Sequence, residues 1–102
     1  MDRIEKIQSL LQKSPDDNFL RHALALEYIK AGNDIAAKNL FEEILNTHPD
    51  YIGSYYHLAR LLERNGETQL AIHWYEKGMA AAKNAGDSHA YNELQSAYED
   101  LI

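Results

Sequence analysis

The sequence predicts an all-α protein made of stacked antiparallel helix pairs, and three observations support that fold class. Apolar residues recur at spacings of three and four along the chain, and no segment alternates apolar with polar residues as a half-buried strand does. The turns between the predicted helices are short, which makes consecutive helices antiparallel neighbours. A set of small and aromatic residues also returns after 34 positions, a period that is typical of repeat architectures. The first copy comprises Leu24, Ala25, Gly32, Ala37 and Phe41, and the second comprises Leu58, Ala59, Gly66, Ala71 and Tyr75.

Turn residues divide the chain into six predicted helices. Pro15 and Pro49 each follow the end of a helix, because the residue before a proline is disfavoured in helical backbone. Gly32 supplies a left-handed stop after the second helix. An aspartate before the second helix and Asp34 before the third are expected to cap those helices. The predicted helices cover approximately 2–13, 18–31, 35–47, 51–64, 68–84 and 88–101.

The composition is that of an ordinary globular protein, and it excludes several classes of function. The 102 residues suffice for one domain, with 45% hydrophobic and 25% charged residues. The net charge of −6 argues against duplex DNA or an anionic membrane as the partner, because both attract basic surfaces. The sequence has neither an apolar run of membrane-spanning length nor the apolar core of a signal peptide, so a cytoplasmic location is expected. The absence of cysteine excludes disulfides and thiolate metal sites, and no cofactor is predicted.

The repeated positions resemble the pattern of the tetratricopeptide repeat. In that family the first helix carries an aromatic residue, then leucine and a small residue, and the second helix carries alanine and another aromatic residue. In residues 52–83 the matching positions are Tyr55, Leu58, Ala59, Leu62, Gly66, Ala71, Ile72, Trp74 and Tyr75. In residues 18–51 they are Leu24, Ala25, Tyr28, Gly32, Ala37, Phe41, Ile44 and Pro49. The aromatic residues of the pattern are assigned to the core. The pattern departs at Arg21, where the family has an aromatic residue.

The resemblance extends to both ends of the sequence and predicts a single tetratricopeptide repeat domain over 1–102. Ile7, Leu10 and Pro15 stand 34 positions before their counterparts in the first full repeat, which makes the first helix resemble half a repeat. Gln95 takes the small-residue position of the last helix, where a capping helix is expected to face water. The predicted organisation is a half-repeat helix at 1–14, repeats at 18–51 and 52–85, and a capping helix at 88–102.

The resemblance implies a concave groove that is lined by the first helix of each pair and receives an extended or helical peptide. The groove residues that it implies are Phe19, His22, Leu26 and Ile29 from the first unit, Tyr56, His57, Arg60 and Arg64 from the second, and His89 and Asn92 from the capping helix. The aliphatic, phenylalanine and tyrosine members are expected to form an apolar patch with no core role, and the two arginines to hold an acidic or backbone group. The alternative is that these residues are only the solvated sides of helices.

Two more specific binding modes are not favoured. The best-known ligand mode of the family clamps a peptide carboxylate with Lys, Asn and Arg, but here Leu26 cannot donate a hydrogen bond and Glu93 would repel a carboxylate. His22, His57 and His89 fall on groove positions of successive units, which is compatible with a metal or pH-sensitive cluster or with coincidence on a polar face. No two of them are three or four residues apart on one helix, so no metal site is predicted.

The predicted function is a protein–protein interaction module that binds a peptide segment of another protein in the groove. The alternative is structural self-assembly, in which the exposed terminal helices stack end to end or form a homodimer. The apolar stripe of the first helix could serve either the core or a partner chain, and it consists of Ile4, Ile7, Leu10 and Leu11. Catalysis is not predicted, because the sequence has no cysteine, no glycine-rich phosphate loop and no serine-centred elbow.

Overall fold

The computed structural model describes residues 2–102 and folds them into six α-helices without a strand, which confirms the predicted all-α class. The helices are α1 (Arg3–Lys13), α2 (Asn18–Lys30), α3 (Asp34–Thr47), α4 (Gly53–Arg64), α5 (Thr68–Ala85) and α6 (Ser88–Leu101). Each helix packs against the next one along the chain, and α4 also contacts α6. None of the six combines the length and the apolar character that crossing a bilayer requires.

The ends of the helices follow ordinary capping chemistry, with one correction to the predicted caps. The Asp17 carboxylate accepts the Leu20 N–H at 3.1 Å and so caps α2. Gly32 has a φ of +78°, which confirms the left-handed stop after α2. The predicted cap at Asp34 is wrong, because the Asn33 side chain accepts the Ala36 N–H at 3.2 Å and Asp34 is already the first residue of α3.

Helix α4 begins two residues later than predicted. The Tyr51 N–H bonds to the His48 carbonyl at 3.0 Å, so Tyr51 closes the turn that precedes the helix. Ile52 then takes the position before the first helical residue, and it offers no side-chain cap. These turn residues lie beside the N-terminal end of α2, where Tyr51 and Ile52 line one pocket with Phe19.

The residues that define the repeat form the core. Ala25, Ala37, Ala59 and Ala71 are fully buried, as expected for small residues that let neighbouring helices approach closely. The aromatic residues assigned to the core are also buried, except that Tyr28 is half-buried; the buried ones are Phe41, Tyr55, Trp74 and Tyr75. The core is therefore continuous from α2 to α6 and leaves the outer sides of these helices for other roles.

The two full helix pairs fill one equivalent position in different ways. Arg21 on α2 is buried, donates to the Asn18 side chain at 3.2 Å and pairs with Glu43 on α3 at 2.8 Å. Tyr55 stands 34 residues later and lies over Gly78 of α5, where an added Cβ would be 2.7 Å from the Tyr55 Cβ. The departure of Arg21 from the family pattern is thus accommodated by an ion pair to the next helix, whereas the tyrosine requires a glycine opposite it.

Candidate functional site

A cleft of about 460 Å³ lies between α2 and α4 and brings together half of the predicted groove residues. We call it the central cleft. The predicted residues that line it are Leu26, Ile29, His57, Arg60 and Arg64. Its remaining lining residues are Arg3, Ala23, Glu27 and Lys30. Because α2 and α4 are the first helices of successive pairs, the central cleft runs along the surface that the family resemblance implies.

A second pocket, of about 370 Å³, lies at the N-terminal end of α2, and we call it the Phe19 pocket. It is lined by Phe19, His22, Asp50, Tyr51, Ile52 and Gly53. Phe19 and His22 were predicted groove residues, whereas the other four come from the turn before α4 and from its first residue. The repeat pattern alone does not identify them.

The remaining predicted residues lie outside these two pockets. Asn92 lines a separate pocket of about 470 Å³ beside the turn between α5 and α6, together with Tyr91. His89 is exposed on α6, and Tyr56 is half-buried with its ring 5.8 Å from that of His57. The contribution predicted from α6 is therefore separate from the central cleft.

The apolar patch expected from the sequence is corrected by the structure. Leu26, Ile29 and Tyr56 are half-buried and pack against the core cluster, so the expectation that they have no core role is wrong. Phe19 differs from them, because 71% of its surface is exposed. Among these four residues, Phe19 alone therefore presents most of its apolar surface to solvent.

The cations of the central cleft are paired with carboxylates of the same chain. Arg64 donates through one nitrogen to both carboxylate oxygens of Asp34, each at 3.0 Å. Arg60 lies 3.6 Å from Glu63, and that carboxylate, more than any other group, raises the pKa of Arg60. Glu63 also accepts the hydroxyl of Tyr75. Each guanidinium has five N–H donors, so both arginines keep donors that these pairs do not use.

A second group of charges closes the α1 side of the central cleft. The Glu27 carboxylate lies 3.3 Å from both Arg3 and Lys30. Although burial acts to raise the pKa of Glu27, Lys30 and Arg3 outweigh it and lower the pKa below its ordinary value. The carboxylate is therefore ionised at neutral pH and holds both cations at the edge of the cleft.

His22 and His57 converge between the two pockets, but in a packing role. Their ring centroids are 5.4 Å apart, and both rings contact Phe41. The Nδ1 atom of His22 is 2.8 Å from the hydroxyl oxygen of Ser54, which is fully buried. Burial, followed by the charge of His57, lowers the pKa of His22 to about 4. Burial also lowers the pKa of His57, although Glu93 opposes it. Within residues 2–102, no three histidine, cysteine or acidic side chains are arranged to hold a metal ion.

Comparison with known proteins identifies the family. The tetratricopeptide repeat model matches residues 40–73. A solution structure of a tetratricopeptide repeat domain protein from Salinibacter ruber superposes with a TM-score of 0.82 and 44% sequence identity, over 85% of this chain and 88% of that chain. The chain belongs to the tetratricopeptide repeat family. Such domains generally bind other proteins and are typically non-catalytic interaction modules.

Two further proteins are similar to most of the chain. The solution structure of a protein from Bordetella parapertussis has a TM-score of 0.84 at 27% identity and covers 99% of this chain and 88% of its own. A TPR repeat-containing protein of Pseudomonas aeruginosa is 28% identical over 91 residues, which is 89% of this chain and 87% of that protein. This chain is thus similar to two further bacterial proteins over most of its own length and most of theirs.

Proposed function

We propose that this tetratricopeptide protein is a non-catalytic interaction module that binds a peptide segment of a partner protein along α2 and α4. The observation that supports the proposal most directly is the central cleft, in which Leu26 and Ile29 lie among four cations, in a chain whose net charge is −6. A basic, partly apolar cleft on an acidic protein is a distinct surface with its own ligand preference.

The chemistry of the cleft suits a peptide backbone that carries an acidic side chain or a C-terminal carboxylate. The half-buried faces of Leu26 and Ile29 can be covered by an apolar side chain of the ligand. The unused donors of Arg60 and Arg64 can bind peptide carbonyl groups or a carboxylate, since a guanidinium donates to several acceptors at once. In this proposal His57 and Tyr56 border the bound segment, and His89 and Asn92 extend the surface toward α6.

The pre-existing ion pairs favour binding by holding the cations in place. Arg64 is fixed by Asp34, and Arg3 and Lys30 are fixed by Glu27. A donor that is already ordered loses less conformational entropy when a ligand arrives. The four cations lining the cleft still outnumber its single lining carboxylate, Glu27.

The test is a selection of peptides against the protein, followed by titrations of variants. The selected peptides are titrated by fluorescence anisotropy against wild type, Arg60→Glu and the control Lys6→Glu. Lys6 is exposed on α1 and does not line the central cleft, so the control makes the same charge change elsewhere. Arg60→Glu is expected to weaken binding by about tenfold or more, because a lost charge-assisted hydrogen bond is replaced by repulsion. Equal affinity for both variants, at unchanged helicity, contradicts the proposal.

Self-assembly through α1 is the second candidate, and the exposure of Leu10, at 47%, is the observation that favours it. Ile7 is buried against its own chain, and Ile4 and Leu11 are half-buried, which leaves Leu10 as the main apolar contact available to a second copy. Light scattering at several concentrations, with wild type and Leu10→Lys, separates the alternatives. A concentration-dependent dimer that Leu10→Lys abolishes supports self-assembly, and a strict monomer excludes it.

A further inference from the structure

Phe19 is an exposed aromatic ring at the edge of a formed pocket. It is the second residue of α2 and keeps 71% of its surface exposed, while the half-buried Tyr51 and Ile52 line the same pocket of about 370 Å³. His22 lines the pocket as well, with its ring 5.8 Å from that of Tyr51. Phe19 is therefore not a core residue. The aromatic side chains that line the pocket offer several π faces to a ligand.

The charges around the Phe19 pocket have the opposite sign to those of the central cleft. Asp50 lines the pocket, and Asp17 lies close enough to Tyr51 for its charge to add to burial in raising the pKa of that phenol. Within residues 2–102, no lysine, arginine or histidine nitrogen forms an ion pair with Asp17 or Asp50. Neither carboxylate at this end is thus in an ion pair, although Asp17 accepts the Leu20 N–H, whereas the cations of the central cleft are all in ion pairs.

We propose that the Phe19 pocket takes a lysine or arginine side chain of the bound peptide. The cation would lie against the faces of Phe19 and Tyr51, which attract positive charge, and beside the Asp50 carboxylate, which has no cation of its own. The inference rests on the proposed peptide-binding function and adds a specificity pocket to it. The occupant is a basic side chain because the aromatic lining and the Asp50 carboxylate are both complementary to positive charge.

The separation of the two sites sets the spacing of the ligand. Phe19 and Lys30 stand eleven residues apart on α2, which corresponds to about 16 Å along the helix axis. An extended peptide advances about 3.3 Å per residue, so about five residues connect the two ends. The ligand is therefore expected to carry its basic residue about five positions from the acidic group or carboxylate that faces the cations of the central cleft.

The experiment is an NMR titration of the full chain with N-acetyl-arginine amide, with N-acetyl-citrulline amide as a neutral probe of nearly the same shape. The arginine probe is expected to shift the backbone resonances of Phe19, Tyr51 and Gly53 saturably, and the citrulline probe to bind at least about threefold more weakly. Phe19→Ala and Asp50→Asn should each weaken the arginine probe by about threefold or more.

Matched variants make the result decisive. Asp16→Asn matches Asp50→Asn, because it also removes one negative charge but from a residue that does not line the pocket. Ile35→Ala matches Phe19→Ala, because it removes an apolar side chain that is 77% exposed at another place on the surface. Both should bind the arginine probe as wild type does. Equal binding of the two probes, or shifts that are absent or centred outside the pocket, overturns the inference. Arg60→Glu should leave binding of the arginine probe unaffected, because Arg60 lines the central cleft and not the Phe19 pocket. Failure of the proposed peptide binding and failure of the proposed Phe19 pocket are therefore separate outcomes.

Discussion

Gly78 is the position at which one added methyl group should disturb the packing of three helices. It is buried in α5, between Tyr55 of α4 and Leu94 of α6. In Gly78→Ala the new Cβ would lie 2.7 Å from the Tyr55 Cβ, 2.9 Å from its Cγ and 3.1 Å from the Leu94 Cδ1. Carbon atoms in favourable contact are about 3.5–4.0 Å apart, so the two shortest contacts are roughly 1 Å too close.

The size of the effect follows from two opposing contributions. Replacing glycine by alanine in a helix interior stabilises the helix by about 1 kcal/mol. Overpacking destabilises by about 1–3 kcal/mol, and the upper end applies because the Tyr55 Cβ is fixed to the α4 backbone, so a rotamer change does not relieve the contact. The expected net loss in the free energy of unfolding is about 2 kcal/mol, which corresponds to a fall in Tm of about 10 °C for a chain of this length.

Urea denaturation followed by circular dichroism measures this loss, and Gly53→Ala supplies the control. Gly53 is the first residue of α4, is exposed, and an added Cβ there has no atom within 4 Å. Its substitution should leave stability unchanged or raise it slightly. If Gly78→Ala proves as stable as the wild type, or if both variants shift stability equally, the close approach of Tyr55 to Gly78 does not constrain the fold.

Three further predictions concern single side chains. The pKa of His22 is about 4 in the folded chain and 6.5 in the unfolded chain, so between these pH values the unfolded chain binds a proton that the folded chain does not. The contribution of His22 to the free energy of unfolding is therefore fully present above pH 6.5 and falls by about 1–2 kcal/mol toward pH 4, after allowance for partial exposure. Urea midpoints should depend less on pH in His22→Gln than in the wild type. Asn33→Ala should lower the free energy of unfolding by about 1 kcal/mol, and Asp34→Ala, which loses a surface ion pair, should lower it by less. The reverse order in urea titrations would indicate that Asp34 caps α3, as the sequence predicted. Ala59→Leu should lower Tm markedly because Ala59 is fully buried, whereas Gln95→Leu at the half-buried counterpart should be tolerated; an equal fall in both contradicts the difference in packing.

The sequence predicted the helices well because the repeat constrains them more than once. Ala25 and Ala59 occupy equivalent positions in successive helix pairs, and both are fully buried. The pattern around one of them therefore supports the helix prediction made around the other. The cap of α3 was wrong by one residue because Asn33 and Asp34 have similar capping propensities, and only the backbone geometry selects between them. The close contact at Gly78 was not predicted from the sequence. A glycine inside a helix is unfavourable, so its presence in the fifth helix was a sequence signal for close packing against a neighbouring helix.

The candidate site was predictable only as a set of positions. The resemblance to the tetratricopeptide repeat implied Leu26, Ile29 and Arg60 as groove residues, and all three line the central cleft. Their partners could not be found in this way, because the pair between Arg64 and Asp34 joins residues 30 positions apart, at a distance set by the stacking of helices. The turn residues of the Phe19 pocket were missed for a related reason, since their placement depends on how the chain enters α4.

The two ends of the α2–α4 surface differ in how their charges are held, and this difference supports different roles for them in the proposed peptide binding. In the central cleft, Arg64 and Lys30 are already fixed by carboxylates, so a ligand gains ordered donors but must compete with Asp34 and Glu27 for them. In the part of the chain that the structure describes, the Asp50 carboxylate at the Phe19 pocket forms no ion pair, and a cationic side chain can pair with it without breaking one. In the proposed peptide binding, the central cleft would therefore position the peptide backbone, and the Phe19 pocket would discriminate between ligands, because a neutral ligand side chain would leave that carboxylate without a partner.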